Sequence, residues 1–373
     1  MPGQSAGNII STAWVARFSV RILISETWRY PIYGQILLDR FKQAGVEAFA
    51  FKEGAYFKST NPFGNLAAKA QFKYRFGTAL HKLNADLTRL CSELNIDTAF
   101  FVRGDMIYPE TLKHLRSRNV YIMGCNNDNP FSSENAWYLW RHLIGGLPLY
   151  NHYFAYRDSN VSDFRRYGCP GATVLRSFYI NEANYPIEDL SNSPFNCDVS
   201  FTGHWEADGR EHFLDPLISD KMINFKLWGT LWNRAKNHKS ISERFGEIKP
   251  LYGAEYNLAI NSSKIALVFL SQLNRDTYTR RCFEIPAAGT FMLAPRNPDL
   301  QSLFKEGVEA EFFATRDEMM DKIRYYISND SARKAIAKAG RERLLGDGHE
   351  AEDRVRTVIR HVRQHRGLSS SSN

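Results

Sequence analysis

The sequence lacks the cysteine patterns that build disulfide frameworks and zinc sites. Its five cysteines are odd in number and widely spread, with no CxxC pair and no Cys/His ligand spacing. Disulfide-rich secreted domains and zinc-binding modules are therefore disfavoured. We expect a protein of the reducing cytoplasm, or of the inner face of the membrane.

Long apolar runs are also missing. No stretch approaches the roughly 18 apolar residues that cross a bilayer, and the first residues lack the core of a signal peptide. Residues 1–16 are interpreted as a loose leader. The sequence therefore predicts no transmembrane segment.

Two ligand motifs are absent as well. No GxGxxG fingerprint follows the first predicted strand, where Gly34 is the only glycine, and no DxD triplet occurs in the chain. The first absence disfavours a dinucleotide, because the glycines of that fingerprint let the backbone approach a pyrophosphate. The second removes one common way of holding a metal ion. We expect no bound cofactor and no bound metal.

Length and charge limit the class of protein. At 373 residues the chain is too long for one ordinary core, so we expect two domains. The net charge of +8 favours anionic partners such as nucleotides, phosphorylated glycans, nucleic acid or an anionic membrane surface. The basic residues are spread along the chain and no nucleic-acid motif is present, which argues against nucleic acid.

Apolar patterns alternate between strands and helices. Residues 19–25 predict a strand, 34–44 a helix and 46–51 a second strand, which together form a βαβ unit. The pattern breaks at 181–196, where two prolines predict a linker between domains at 1–180 and 197–349.

A charged stretch in the second half, residues 274–293, carries the clearest chemistry. It contains Arg280, Arg281, Glu284 and Pro286, and it lies between apolar runs that predict buried parallel strands. We expect Pro286 to open a short helix at the carboxyl end of a strand, where ligands bind in open α/β sheets. Arginine forks suit phosphate, and a carboxylate can accept from ribose hydroxyls. The stretch predicts a nucleoside diphosphate site; a structural Arg–Glu cluster is the alternative.

The same stretch carries a family resemblance. The run RCFEIPAAG at 281–289, with NPDL at 297–300, Gly307, Glu318 and an arginine-rich end, resembles the donor-binding region of CgeB-like (spore maturation protein-like) glycosyltransferases. These are group 1 glycosyltransferases of the GT-B fold. The resemblance in sequence motifs is strong over residues 252–356. Over the rest of the chain it lies in the layout of the predicted elements and not in motifs.

The resemblance implies an α/β chain with two Rossmann-like domains facing each other across a cleft. A C-terminal helix at 350–366 would cross back onto the first domain, and 367–373 would be a disordered tail. The implied reaction moves a sugar from a nucleotide diphosphate sugar on the second domain to a hydroxyl acceptor on the first. Glycans, surface polysaccharides and other cell-envelope or phage-type molecules are the expected acceptors.

Site residues follow from the resemblance together with the local patterns. Retaining members carry E-x7-E, and here Asp276 and Glu284 give D-x7-E, so a retaining reaction with Asp276 as a catalytic residue is favoured. Asp128, after a predicted strand, is the acceptor-side catalytic candidate, and an Asx turn before Pro130 is the alternative. The expected donor-binding residues are Gly203, His204, Arg210, Asn274, Tyr278, Arg280, Arg281, Glu284 and Gly289.

Other interpretations stay open. A nucleotide-sugar epimerase of the same fold, a nucleotide-binding module without catalysis, and a nucleic-acid binder are the rival functions. The predicted C-terminal helix has Val355, Val358, Ile359 and Val362 on one side. We expect this apolar stripe to pack inside the protein, and peripheral membrane contact is the alternative.

Overall fold

The computed structural model describes residues 20–27 and 31–365. The chain forms two compact units. Of the described residues, the first unit takes those up to Pro130, 135–174 and those from Ile359 onward, and the second takes 131–134 and 175–358. The domain limits expected from the sequence stay a prediction. The expected leader and tail, and residues 28–30, lie outside the described residues.

The first unit is built on a parallel sheet of six strands in the order β2-β1-β3-β4-β5-β6. The strand β3 has no exposed residue, as expected for a parallel strand covered on both faces. The chain runs outward in opposite directions from β1 and β3, so the strand order reverses between them. The strands are β1 Arg21–Glu26, β2 Glu47–Lys52, β3 Thr98–Val102, β4 Tyr121–Asn126, β5 His152–Ala155 and β6 Ala172–Val174.

Helices connect these strands. Proline is the first residue of three of them, where its missing N–H has no helical partner to lose. Leu80, Leu83 and Leu87 of α3 are fully buried, so this leucine seam belongs to the core. The helices are α1 Pro31–Gln43, α2 Pro62–Tyr74, α3 Thr78–Glu93, α4 Pro109–Ser117, α5 Trp137–Gly146 and α6 Asp158–Arg166.

The second unit is built on a parallel sheet of five strands in the order β11-β10-β9-β7-β8. Its strands are β7 Cys197–Thr202, β8 Phe225–Trp228, β9 Ser263–Leu267, β10 Phe291–Pro295 and β11 Glu311–Phe313. Its helices are α7 Arg210–Ser219, α8 His238–Phe245, α9 Gly253–Asn261, α10 Arg281–Ala287, α11 Pro298–Leu303, α12 Arg316–Ser328 and α13 Asp330–Gly346. The last described helix, α14 Ala351–His365, begins in the second unit, and its residues from Ile359 onward belong to the first. Two Rossmann-like α/β domains with parallel sheets are thus confirmed.

The expected role of Pro286 is wrong. The helix α10 begins at Arg281, after a tight turn in which Cys282 N–H donates to the Thr279 carbonyl at 3.0 Å. Pro286 lies in the last turn, and Gly289 follows with φ +74°. Thr290 N–H then donates to the Ile285 carbonyl at 3.2 Å, a hydrogen bond that closes a helix end. The proline therefore helps to end this helix.

The helix α14 buries its apolar stripe. Val355, Val358 and Val362 are at most 2% exposed, whereas Arg356 on the opposite side is exposed. Near its end, within the first unit, His361 accepts from or donates to the Tyr121 hydroxyl at 3.1 Å and packs against the ring of His152. No helix among the described residues is both long and apolar enough to cross a membrane.

We predict that Val362→Ala lowers the free energy of unfolding by about 2 kcal/mol, because it removes buried methyl groups and leaves a cavity. Arg356→Ala is the matched control, since it shortens an exposed side chain of the same helix. Urea denaturation and melting temperature measure both variants. Equal stability of the two variants would mean that the stripe does not contribute to the core.

Candidate functional site

A cavity of about 600 Å³ opens at the carboxyl edge of the second sheet. It lies where the strand order reverses, because β8 follows β7 on one side while β10 and β11 follow β9 on the other. Ligands of open α/β sheets bind at this position. Its charged lining residues are Asp208, Arg210, Arg275, Asp276 and Arg296.

The loop between β7 and α7 is held by Arg210. This side chain is 4% exposed, and its Nε donates to Asp208 Oδ1 at 2.8 Å. Its Nη1 donates to the carbonyl of His204, and Glu206 lies 3.4 Å from its Nη2. The guanidinium charge is thus compensated by two carboxylates. The structure gives Arg210 a structural role in the loop and leaves it little capacity to bind phosphate.

His204 and Glu206 connect this loop to the one after β9. His204 Nε2 lies 2.7 Å from Glu206 Oε1, and Ser271 also donates to the Glu206 carboxylate. Burial would raise the pKa of Glu206, but these hydrogen bonds outweigh burial and lower it to about 2. Gln272 Nε2 adds a bond of 3.1 Å to the Asp208 carbonyl. The two loops that border the cavity are therefore joined.

Gly203 uses its backbone inside the protein. Its N–H donates to the Trp228 carbonyl at 2.8 Å, and its own carbonyl accepts from Trp232 Nε1 at 2.9 Å. A Cβ at Gly229 would lie 1.8 Å from that carbonyl, so the close approach explains the second glycine. The N–H and the carbonyl of Gly203 are thus both hydrogen-bonded within the protein, and its expected role in donor binding stays a prediction.

The Arg280–Glu284 pair is the charged centre of α10. Arg280 Nε donates to Glu284 Oε1 at 2.6 Å, and the Tyr256 hydroxyl of α9 donates to Oε2 at 2.8 Å. The guanidinium lies 4.9 Å from the centre of the Phe178 ring. Burial and the Glu284 carboxylate raise the pKa of Tyr256 well above its ordinary value, so the phenol stays a donor. The pair is nearly buried, with side chains 12% and 8% exposed.

Arg281 differs from its neighbour. Its side chain is half-buried at the first position of α10, and it forms no ion pair or hydrogen bond with another side chain of the described residues. Arg280 uses its Nε for Glu284, whereas Arg281 has no side-chain partner among the described residues, so Arg281 is the first of the two to test as an anion ligand.

The other predicted residues of this segment are divided between cavity and core. Asp276 lines the cavity, and its N–H donates to the Ser271 carbonyl at 2.9 Å. Asn274 is half-buried, and its N–H donates to Ser271 Oγ at 3.3 Å. Tyr278 is 1% exposed, with its ring beside Phe283. A ring buried in this way packs the core and offers no face to a ligand.

Gly289 lies at the opposite edge of the sheet, because it immediately precedes β10. Its positive φ forms the turn after α10, and a Cβ there would lie 3.6 Å from Pro186. A second cavity of about 200 Å³ at this amino edge includes Gly289 in its lining. The structure therefore does not bring Gly289 together with Asp276 or Arg281.

Asp128 belongs to the first unit, two residues after β4. Its N–H donates to Asn126 Oδ1 at 3.0 Å, which forms an Asx turn whose side chain is that of Asn126 and leaves the Asp128 carboxylate out of the turn. Its carboxylate also forms an ion pair with Arg103, whose guanidinium lies 4.5 Å from the centre of the Trp140 ring. The side chain is 35% exposed, which leaves it accessible.

Sequence reasoning missed three groups of this site. Tyr256 lies in an amphipathic helix, where the sequence pattern predicts a packing role. Nothing in the local sequence predicts its hydrogen bond to Glu284. Of the three, only Asp208 could have been predicted from the sequence, because its position two residues before Arg210 suits a local ion pair. Arg296 lines the cavity while it pairs with Glu306 and Glu318. Those partners are ten and 22 residues away, beyond local pattern analysis.

Comparison with known proteins relates part of the chain to one family. Residues 210–360, less than half of the chain, match the family described as glycosyl transferase-like. The match begins at Arg210 and includes the cavity lining from there to Ala314, as well as Arg281 and Glu284. No curated protein sequence matches the chain.

Solved structures match nearly the whole chain. Sucrose-phosphate synthase of Thermosynechococcus elongatus has a TM-score of 0.68 and 12% identity, over 94% of this chain and 100% of that one. Anabaena HepE with UDP and glucose has a TM-score of 0.64 and 11% identity, over 92% and 100%. A candidate UDP-N-acetylglucosamine 2-epimerase of Listeria monocytogenes has a TM-score of 0.57 and 10% identity, over 94% and 98%.

Identities this low establish the fold alone. The glycosyltransferases among these structures have the GT-B fold, and the expected GT-B fold of this chain is thereby confirmed. The CgeB-like subfamily stays a prediction. Residues 210–360 are thus a glycosyl transferase-like domain within a chain of the GT-B fold.

Proposed function

We propose that this protein transfers a sugar from a nucleoside diphosphate sugar to a hydroxyl acceptor. The observation that carries the proposal is the charged cavity at the strand-order reversal of the second sheet, within the glycosyl transferase-like region. HepE was solved with UDP and with UDP-glucose, which makes a uridine diphosphate sugar the first donor to test. A glycan or another cell-envelope or phage-type molecule is the proposed acceptor.

The donor diphosphate is assigned to Arg281. Its guanidinium is the one of the arginine pair without a side-chain partner among the described residues, and its fork matches phosphate oxygens. When the glycosidic bond to the diphosphate breaks, negative charge grows on the leaving group. A positioned guanidinium stabilises that charge more in the transition state than in the bound donor. Arg280 serves this role indirectly, because it holds the adjacent Glu284.

The ribose is assigned to Glu284. Each of its oxygens already accepts one hydrogen bond, but an ionised carboxylate offers about four acceptor positions. The remaining positions give Glu284 the chemistry to accept from two ribose hydroxyls, through the 8% of its side chain that is exposed. The alternative, a purely structural Arg–Glu cluster, predicts that the nucleotide does not sense this carboxylate.

The two aspartates are proposed for the chemical step. Asp276 lines the cavity and would contact the transferred sugar, consistent with a retaining reaction. Asp128 would orient the acceptor hydroxyl in the first unit, because its accessible carboxylate can accept a hydrogen bond while it pairs with Arg103. We propose that the reaction needs no metal ion, because arginine supplies the positive charge at the diphosphate.

A nucleotide-sugar epimerase is the second candidate. The observation that favours it is the likeness to the candidate epimerase of Listeria monocytogenes across most of both chains. An epimerase converts its nucleotide sugar without any acceptor, whereas a transferase requires one. Product analysis by chromatography in the absence of acceptor separates the two.

We predict that a nucleoside diphosphate sugar raises the melting temperature and is consumed when a hydroxyl acceptor is added, with a chelator present. Bound ligand stabilises the folded state by mass action, so a panel of nucleotide sugars identifies the donor. Asp276→Asn and Asp128→Asn should lower turnover by at least about tenfold, while the donor still stabilises the protein. Loss of activity on chelation, with recovery on adding magnesium or manganese, would contradict the metal-independent scheme.

We predict that Glu284→Gln weakens donor binding at least about tenfold, since a neutral amide accepts more weakly from ribose hydroxyls. It should also lower the free energy of unfolding by about 3 kcal/mol, because Arg280 loses its partner in a nearly buried site. Tyr256→Phe is the matched control, as it removes one hydrogen bond to the same carboxylate and keeps the charge. Calorimetry of donor binding decides the case: lower stability with unchanged donor affinity would make the cluster structural only.

We predict that Arg281→Lys reduces kcat at least about tenfold although the charge is kept, because lysine lacks the planar fork. Arg281→Ala should be more severe. Arg324→Lys on α12, 60% exposed, is the control for the same chemical change elsewhere in the unit. Wild-type turnover in Arg281→Ala would place the diphosphate contact on another residue.

A further inference from the structure

The helix α2 of the first unit exposes large apolar side chains to solvent. Ala68 is its buried residue, and Phe72 of the same side packs on Phe57 with ring centres 5.3 Å apart. Phe63 and Leu66 point the other way and are 89% and 69% exposed. A helix that only covers a core places its large apolar side chains inward, so this orientation calls for a partner.

The exposed apolar residues of α2 form a continuous stripe. Phe63, Leu66, Ala70 and Tyr74 follow each other at spacings of three and four, which places them on one side of a helix. The helix has a firm start, since Asn61 Oδ1 accepts from Gly64 N–H at 2.6 Å and Pro62 occupies the first turn. The stripe is therefore part of regular, capped structure.

The neighbouring helix α5 extends this surface. Trp137 at its first position is 78% exposed, and Tyr138 packs on Tyr74 with ring centres 5.0 Å apart. Arg141 Nη1 donates to the Tyr74 carbonyl at 2.9 Å, so α5 also satisfies the end of α2. Phe63, Leu66, Tyr74 and Trp137 are named here the α2–α5 face.

The two helices of the α2–α5 face carry basic residues and no acidic ones; the exposed Glu134, three residues before Trp137, is the acidic residue nearest to α5 in the sequence. No acidic residue occurs between Glu53 and Asp86, a stretch that contains Lys58, Lys69 and Lys73. All three lysines are exposed, and α5 also lacks an acidic residue. Lys69 and Lys73 border the apolar stripe on α2, since they lie three residues beyond Leu66 and Ala70. An apolar stripe with a lysine border complements a surface that has an anionic outer layer over an apolar interior.

We propose that the α2–α5 face docks on the surface of an anionic lipid bilayer. The aromatic and leucine side chains would enter the boundary between headgroups and acyl chains, with Lys69 and Lys73 beside anionic headgroups. Trp137 carries an amphipathic ring of the kind that collects at this boundary. The face, and not α14, then makes the membrane contact, because the valine stripe of α14 is buried. The proposal does not depend on the donor or the reaction.

Vesicle co-sedimentation of the full chain tests this proposal. Binding is measured on phosphatidylcholine vesicles and on vesicles of equal parts phosphatidylcholine and phosphatidylglycerol, at low and at physiological salt. We expect binding to the anionic vesicles, weakened by salt. Phe63→Ser with Leu66→Ser, and separately Lys69→Glu with Lys73→Glu, should each reduce it at least about tenfold. Because these side chains are exposed, the melting temperature should stay unchanged.

Matched variants control for the type of change. Met222→Ser removes a 92% exposed apolar side chain in the second unit, and Lys239→Glu reverses a 90% exposed charge there. Both should bind vesicles like the unchanged protein. Absence of binding to anionic vesicles, or binding that survives both pairs of substitutions, would overturn the proposal. So would a dimer in light scattering that Phe63→Ser with Leu66→Ser dissociates, if vesicles are not bound.

Discussion

The nearly buried ion pair between Arg280 and Glu284 is the interaction on which the polar site of the second unit depends. Taking two charges out of water is costly, and the cost is offset only where further hydrogen bonds and close packing complete the site. Tyr256 supplies the hydrogen bond and Phe178 the packing surface. Their arrangement fixes the start of α10, where Arg281 follows as a half-buried side chain. Arg280 and Arg281 are adjacent but differ in environment, because only Arg280 has a buried carboxylate partner.

The segment before α10 is fixed by a second set of contacts, which also gives physical meaning to the family motif NPDL. Asn297 Oδ1 accepts from the N–H groups of Asp299 and Leu300, both at 3.0 Å, so it caps α11 behind Pro298. Asp299 in turn accepts from Thr277 Oγ1 at 2.6 Å and pairs with Arg176. The motif therefore anchors the loop that carries Asp276. Its residues support the site and do not need to touch a ligand themselves.

Sequence patterns were sufficient for the two parallel sheets and insufficient for the partners of individual side chains. Strands such as β3 and β10 are continuous apolar runs because both faces are covered, and such runs are visible in the sequence. Pro286 and Gly289 were assigned to a helix start and a ligand because their local chemistry permits it. In the structure the helix α10 begins earlier, after the tight turn at Thr279. Gly289 lies just before β10 and therefore at the amino edge of the second sheet. Arg210 is expected from the sequence to bind the donor. Its partners Asp208 and Glu206 are not visible in the sequence, because they approach it only in the folded loop.

The allocation of arginines explains why net charge alone says little about ligands. Arg210, Arg280 and Arg296 all lie in or near the polar site of the second unit, yet each is paired with at least one carboxylate. An ion pair in a partly dry site uses most of the electrostatic capacity of both charges, so a paired arginine attracts an added anion less than an unpaired one. The positive charge that remains available is then found where carboxylates are missing from the surroundings. Arg281, which has no carboxylate partner among the described side chains, is the candidate in the second unit, and the acid-free stretch of α2 is the candidate on the surface of the first unit.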